Sequence, residues 1–509
     1  MPNLPWLGLA IASPLLAWLI SRPSDTSQRH RLRISIAAVV SMLFSLAPFM
    51  IGLSHERWSD STVIGLFGDP RPLLAATGSD LTLMALSGVL CLIVALGLPS
   101  RDLTGTSAKS ILLILAGSLL AVGSNHLLLI FIGWFLTTIP VWQDERAPRS
   151  VETFSMRRVS LFLMLLSLGA ATALIGWSAA KGGSVAPLTL SDLSSAKHLE
   201  SSGLAFGLLM LAVFLRKGIF PFHTWLLSSL EHGSLGVVGF FFNVHLGAAL
   251  VAKVVVPLMP AEADRTFTPL GTLALLTAAF MSVSALAARN PRRILALLTL
   301  GEAAFVLTGL ESGTPEGISG GLLYLVVVSL ASSALFLVTR SLEARLNTPP
   351  ENWSSLGVAK TTPRLAVFFA IAALSLVGLP ATLGFCAEDL LLSGTLESYP
   401  ILGAVLPIAT ALNAITLLRL FARLFLGAGS PATRTIMDAL PRERFALTVA
   451  VLLLILSGIF PQVLITAFNS GGHHYRAVPS LHSEANEIAN SAVDRAPLTK
   501  DGHTGTAQR

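Results

Sequence analysis

The sequence predicts an all-α polytopic membrane protein of about fourteen transmembrane helices, and three observations point there. The chain is 53% hydrophobic and 12% charged, with a mean hydropathy of +0.72, where soluble domains carry roughly 25% charge. Apolar runs near the roughly 20 residues that cross a bilayer recur along its length. Basic residues, finally, crowd alternate loops between those runs.

The runs lie near 4–20, 33–53, 79–99, 110–124, 126–142, 158–177, 203–231, 235–257, 269–288, 293–310, 318–339, 363–396, 400–422 and 444–466. The first has no basic segment before it and its charges follow it, so it reads as a retained span rather than a cleaved signal. Spans two to six are continuous. Span seven is broken by Gly218 and Pro221, with Lys217 beside the break. Span eight carries His245 near its middle, and spans nine to eleven are again continuous, with Glu302 inside span ten. Span twelve is broken at Gly378-Leu379-Pro380, just before Glu388. Two further runs complete the set. The polar stretch 470–509 lacks apolar periodicity and reads as a disordered tail; His473-His474 within it reads as solvated. The implied division is 1–109, 110–257, 258–425, 426–469 and the tail.

A charge at membrane depth costs about 2.5 to 3.5 kcal/mol on insertion scales, so it marks an ion or substrate path by default. Paired Gly/Pro-interrupted spans in two halves of one chain point the same way. Lys217 and Glu388 therefore read as ion-path residues. Arg22, Arg29, Arg31, Arg33, Arg101, Lys109, Arg146, Arg149, Arg157, Arg158, Arg289, Arg292, Arg293, Arg345, Lys360, Arg364, Arg434, Arg442 and Arg444 follow odd-numbered spans, whereas the opposite loops hold Arg57, Arg71, Lys181, Lys197 and Arg265. The positive-inside rule puts the first set in the cytoplasm and both termini outside it, in a cell inner (plasma) membrane. The net charge of +6 is thereby topological; no basic patch with interleaved aromatics suggests nucleic acid.

Cys91 and Cys386 are the two cysteines, too few for a Cys-ligated iron–sulfur cluster or a Cys-rich zinc site. There is no dinucleotide fingerprint, P-loop or nucleophile elbow. No cofactor or metal is expected in this chain, and any redox chemistry belongs to another subunit.

Several blocks carry a family resemblance. Lys217 to Leu226 is similar to K-x-x-x-x-P-x-H-x-W-L on the seventh helix of antiporter-like membrane subunits of respiratory complex I, the M-type above all, and of Mrp antiporters. Asn290-Pro291-Arg292-Arg293-Ile294-Leu295-Ala296 resembles D-x-K-R-x-x-A at the tenth. Pro363-Arg364-Leu365-Ala366, Ala373 to Pro380, Gly384-Phe385 and Glu388 resemble the twelfth-helix signature, and Gly458 to Gln462 the close of the fourteenth. The resemblance implies two inverted five-helix repeats, spans 4–8 and 9–13, with helices 7 and 12 broken. It implies proton transfer along buried Lys217, His245, Glu302 and Glu388, with His223, Pro221, Gly378 and Pro380 (and Trp225) supporting the breaks. The partners it implies are lipid and the other membrane subunits of a complex I-like or antiporter assembly.

Departures from the pattern are specific. Phe135 stands where the family has a span-five glutamate, His245 replaces the eighth-helix lysine, and Val328 replaces an eleventh-helix histidine. Glu302 stands in place of a tenth-helix histidine, so the carboxylate function is placed in the other half. Blander readings remain beside these: Lys217 as a partner of lipid phosphate, Glu302 as the mate of a basic group, His245 as a satisfied core imidazole, Lys253 as a snorkelling side chain, Asn243 as a helix bridge. Three functions stay open: a proton-translocating subunit of an NADH:quinone oxidoreductase, a cation/proton antiporter or the membrane half of an inorganic-carbon uptake complex, and a non-conducting scaffold.

Overall fold

A computed structural model describes residues 5–50, 58–60, 72–144, 151–181, 188–194, 203–346, 350, 353, 356–427 and 436–469. Helices α1 (Trp6–Ile20), α2 (Ser27–Met50) and α3 (Gly78–Gly97) come first, with a short antiparallel pair, β1 (Trp58–Ser59) and β2 (Ala75–Ala76), between the last two. Then follow α4 (Gly105–Gly123), α5 (Leu127–Trp142), α6 (Val151–Lys181) and a single turn α7 (Leu190–Leu193). Span seven is two helices, α8 (Gly203–Lys217) and α9 (Thr224–His232). Span eight is fragmented into α10 (Phe240–Asn243), α11 (Leu246–Leu250) and α12 (Val256–Leu258), with π-turns at Leu235–Gly239 and Val251–Val255. Long helices α13 (Pro260–Ala287), α14 (Pro291–Glu311) and α15 (Pro315–Leu346) precede the second broken pair, α16 (Pro363–Leu376) and α17 (Leu383–Ser398). The described chain closes with α18 (Val405–Phe425), α19 (Pro441–Ile459) and α20 (Pro461–Asn469).

Among the described residues nine helices or helical segments are long and apolar enough to cross a membrane; α19 with α20 passes the test as a bent pair, and α1, α5 and α16 are shorter apolar helices. The chain is a multi-pass membrane protein. Leu19, Val159, Phe162, Trp177, Ile408 and Leu418 are more than half exposed, as side chains facing lipid should be. By contrast α14, α15 and the segment 235–258 are enclosed by other helices along their apolar windows, so the centre of the molecule is where their polar residues lie.

Caps and ion pairs fix the helix ends. Asp60 accepts the Gly8 N–H at 2.8 Å at the start of α1, whose own N-cap is Pro5; burial pushes this carboxyl above its ordinary range, while the N–H groups of Gly8, Leu7 and Trp6 oppose the shift. At the arginine-rich end Arg292 forks onto Glu343 with two bonds of 2.6 Å, and Arg340 joins Glu343 at 2.7 Å to Asp102 at 2.6 and 2.7 Å. Bidentate pairing of this kind fixes geometry more firmly than a point contact. It ties the starts of α4 and α14 to the end of α15.

Two expectations need correcting. Span fourteen was expected to run to 466, but α19 stops at Ile459 and α20 turns away by 85°. Pro461 has no N–H and its ring excludes a continuous helix. Lys253 was expected to snorkel; instead its ammonium lies 3.1 Å from Asp80 and bonds the Val122 carbonyl. Asp80 also forms the capping box of α3 with Thr77, so Lys253 fastens span eight to the N-terminal helices. The expected tail, with His473 and His474, lies outside the described residues.

Candidate functional site

Buried and half-buried ionisable residues gather around the two helix breaks. α8 ends on Arg216 and Lys217, cations at the negative end of a helix dipole. Gly218 follows with φ +68°, and Gly378 takes the same place in the second break with φ +74°. That left-handed conformation costs an L-residue about 1–2 kcal/mol, so glycine turns the chain here. Trp225 supports the first break by donating its indole N–H to the Leu215 carbonyl at 3.0 Å, satisfying a group the helix end leaves free. His223 stacks on Phe220, its ring centre 5.8 Å away.

From α8 the two cations part. Lys217 is 1% exposed, and its Nζ lies 2.6 Å from Nδ1 of His245 and 4.4 Å from the centre of the Phe242 ring. Its stem passes Gly247, where a Cβ would come within 2.8 Å of Lys217 Cγ. His245 has φ 54° and ψ 34°, a left-handed residue between α10 and α11. Histidine enters that region more readily than most non-glycine residues. Its Nε2 is buried with no hydrogen-bond partner among the described residues. The break at 245 also frees carbonyls, and α15 answers it: Ser329 donates to the Asn243 carbonyl at 2.8 Å, while the Asn243 side chain bonds Ser333 at 2.8 Å and Ser332 at 2.9 Å. Asn243 is thus the helix bridge the sequence suggested.

Arg216 is the residue that sequence reasoning missed. The motif K-x-x-x-x-P sets its basic residue five positions before proline, and counting back from Pro221 gives Arg216, not Lys217. The Arg216 guanidinium is clamped 4.5 Å from the Trp134 ring centre and 3.9 Å from that of Phe241, and donates to Thr137 Oγ1 at 3.1 Å. It therefore packs on α5, the helix that carries Phe135. Phe135 itself is 44% exposed on the outside of the bundle.

Around the second break, Glu302 is fully buried on α14. Asn413 of α18 donates to its Oε1 at 2.9 Å, and the Tyr324 hydroxyl bonds Oε2. No basic group pairs with it among the described residues, against the reading of Glu302 as the mate of a cation. The same Tyr324 hydroxyl lies 3.0 Å from the carbonyl of Leu376, last residue of α16. A hydroxyl has one hydrogen, so it donates to the carboxylate or to the helix end. Glu388 sits on α17 with its carboxylate over Gly378, where a Cβ would come within 2.2 Å of Oε2. Pro380 lies inside the break, and Asp389 beside Glu388 is exposed.

The structure thus brings Lys217 together with His245, while Glu302, through Tyr324 at the α16 end, and Glu388, over Gly378, both border the second break; no hydrogen bond among the described residues joins the two sites. α15 spans the gap, with Tyr324 facing one site and Ser329, Ser332 and Ser333 the other. Val328, on the same helix, is buried.

Residues 124–413 match the family model described as NADH:quinone oxidoreductase/Mrp antiporter, TM. NADH-quinone oxidoreductase subunit M of Rickettsia prowazekii (strain Madrid E) is 29% identical over 266 residues, 51% of this chain and 54% of that protein. The chain spans about half the length of this relative and the similar Rickettsia proteins. NAD(P)H-quinone oxidoreductase chain 4, chloroplastic, of Chlorokybus atmophyticus is 26% identical over 92% of this chain and 95% of its own. Among solved structures, a chain of respiratory complex I from Thermus thermophilus with bound NADH superposes with a TM-score of 0.78 at 21% identity, covering 93% of this chain and 99% of its own. A chain of the Mrp complex from Dietzia sp. DQ12-45-1b gives 0.78 at 16%, covering 94% and 98%. These two share the fold.

Proposed function

Because the chain belongs to the NADH:quinone oxidoreductase/Mrp antiporter transmembrane family, we propose that it is a proton-translocating membrane subunit of a complex I-like NADH:quinone oxidoreductase. The contact between Lys217 and His245, 2.6 Å at the junction of two broken spans, carries this reading. One amine and one imidazole at that distance share a proton, and the unpartnered Nε2 is the face from which it leaves. In the second half, protonation of Glu302 is linked to the α16 end. When Glu302 is ionised, Tyr324 donates to it; when Glu302 holds the proton, the Tyr324 hydrogen is free for the Leu376 carbonyl. Proton loading thereby changes a bond at the break on which Glu388 lies.

In the same reading the helices form fourteen spans, with α8/α9 and α16/α17 as the broken seventh and twelfth. Spans 4–8 and 9–13 form two inverted repeats, within the division 1–109, 110–257, 258–425 and 426–469. Arginine-rich loops face the cytoplasm and both termini face away from it, in a cell plasma membrane. Other membrane subunits are its partners.

A second reading, a non-conducting scaffold, is favoured by Arg216 on the α5 tryptophan and Phe135 in place of the acid. Proton flux through the assembled complex in proteoliposomes separates the two. Lys217→Met should stop flux through this chain while leaving assembly intact; an assembled variant that pumps at the wild-type rate contradicts conduction through Lys217.

A further inference from the structure

Glu311, which the path above does not use, ends α14 at the opposite end of that 21-residue helix from Arg292 and Arg293. It is 1% exposed, and neither carboxylate oxygen has a hydrogen-bond partner among the described residues. Its surroundings are closed on the helix side. The Tyr399 hydroxyl lies 3.0 Å from the Glu311 carbonyl and 3.4 Å from that of Phe267. Gly271 of α13 packs so closely that a Cβ there would sit 3.4 Å from Glu311 Cβ and 2.0 Å from the Tyr399 hydroxyl. In the loop that follows, Ser312 and Gly313 are partly exposed, Thr314 is buried, and Pro315 and Glu316 are exposed. Ser398 pins this loop by donating to the Ser312 carbonyl at 2.6 Å.

A bare carboxylate without donors is too costly to keep in an apolar interior, so the group holds a proton or a cation when the pocket is shut. One carboxyl walled by tyrosine, glycine and backbone offers a cation too few oxygens, whereas a proton needs no further ligand. We propose that Glu311 is the proton-release group of the second half on the side away from the arginines. The inference rests on the proton-translocation reading. α17 links the two sites, with Glu388 near its start and Tyr399 as the residue that caps its end. A proton arriving through water along α17 converts the Glu311 carboxylate to the acid, and its loss to water through the loop at 312–316 regenerates the carboxylate.

Two measurements on the assembled complex in its membrane test this. A hydrophobic carbodiimide, which reacts with protonated carboxyls inside a bilayer, should label Glu311 in the unmodified protein, as read by peptide mass spectrometry; no label at Glu311 overturns the proposal without any substitution. In proteoliposomes Glu311→Gln should lower flux at least tenfold and Glu311→Asp should restore part of it. Lys217→Met serves as the control: if it blocks flux while Glu311→Gln pumps at the wild-type rate, the release role fails. If Lys217→Met pumps normally, conduction itself fails, and the release role with it.

Discussion

Single residues of this chain are held where their chemistry is unusual. His245 occupies a left-handed backbone position at φ 54°, a conformation that costs a non-glycine residue of order 1–3 kcal/mol. His245→Gly should therefore leave thermal stability equal or higher while stopping flux, because the backbone relaxes as the imidazole is lost. A variant that is destabilised and still pumps would refute both parts. Tyr324→Phe removes one hydroxyl between Glu302 and Leu376; the expected cost is about 1–3 kcal/mol of stability, with flux reduced roughly tenfold, 1.4 kcal/mol in the barrier. Unchanged flux would separate Tyr324 from the proton path. Arg216→Lys should cost about 2 kcal/mol, seen as a lower melting temperature, because a lysine ammonium cannot lie flat between Trp134 and Phe241. Residue identities were legible in unequal degree. Lys217 and Glu388 stand out as charges beside Gly/Pro breaks, but Tyr324 and Asn413 look like ordinary helix residues until α14, α15 and α18 are packed together. Arg216 could have been found by counting from Pro221.

Helices show the same division. The breaks in spans seven and twelve are written in glycine and proline, and the structure places them there. Gly378→Ala should expose how tightly the second is built: the left-handed φ alone costs about 1–2 kcal/mol, and the added methyl meets the Glu388 carboxylate. Lower stability together with lost flux is expected, and an unaffected melting temperature would contradict this account of the break. The break in span eight is not written that way. Phe242-Asn243-Val244-His245 contains neither glycine nor proline; what permits the interruption is the set of α15 serines that satisfy Asn243, a tertiary fact. Bending at Pro461 was visible as a residue but not as an angle, since proline can also begin a helix.

For the molecule as a whole, hydropathy and charge were the strong signals, because lipid imposes them on every span. The mostly helical, multi-pass architecture followed from them; the short pair β1 and β2 did not. Pairing of Arg292 with Glu343 and of Arg340 with Asp102 was not legible, since these partners lie 51 and 238 residues apart in sequence. The topology makes its own prediction: a fluorescent protein that matures only in the cytoplasm should stay dark when fused after Arg509, and bright cells would overturn the orientation. If Lys217 and His245 act as one proton-transfer unit, a double-mutant comparison of proton flux through the assembled complex in proteoliposomes will show it. Lys217→Met and His245→Gln should each stop flux through this chain, and the double variant should be no worse than either alone. An assembled Lys217→Met or His245→Gln complex that pumps at the wild-type rate would contradict it.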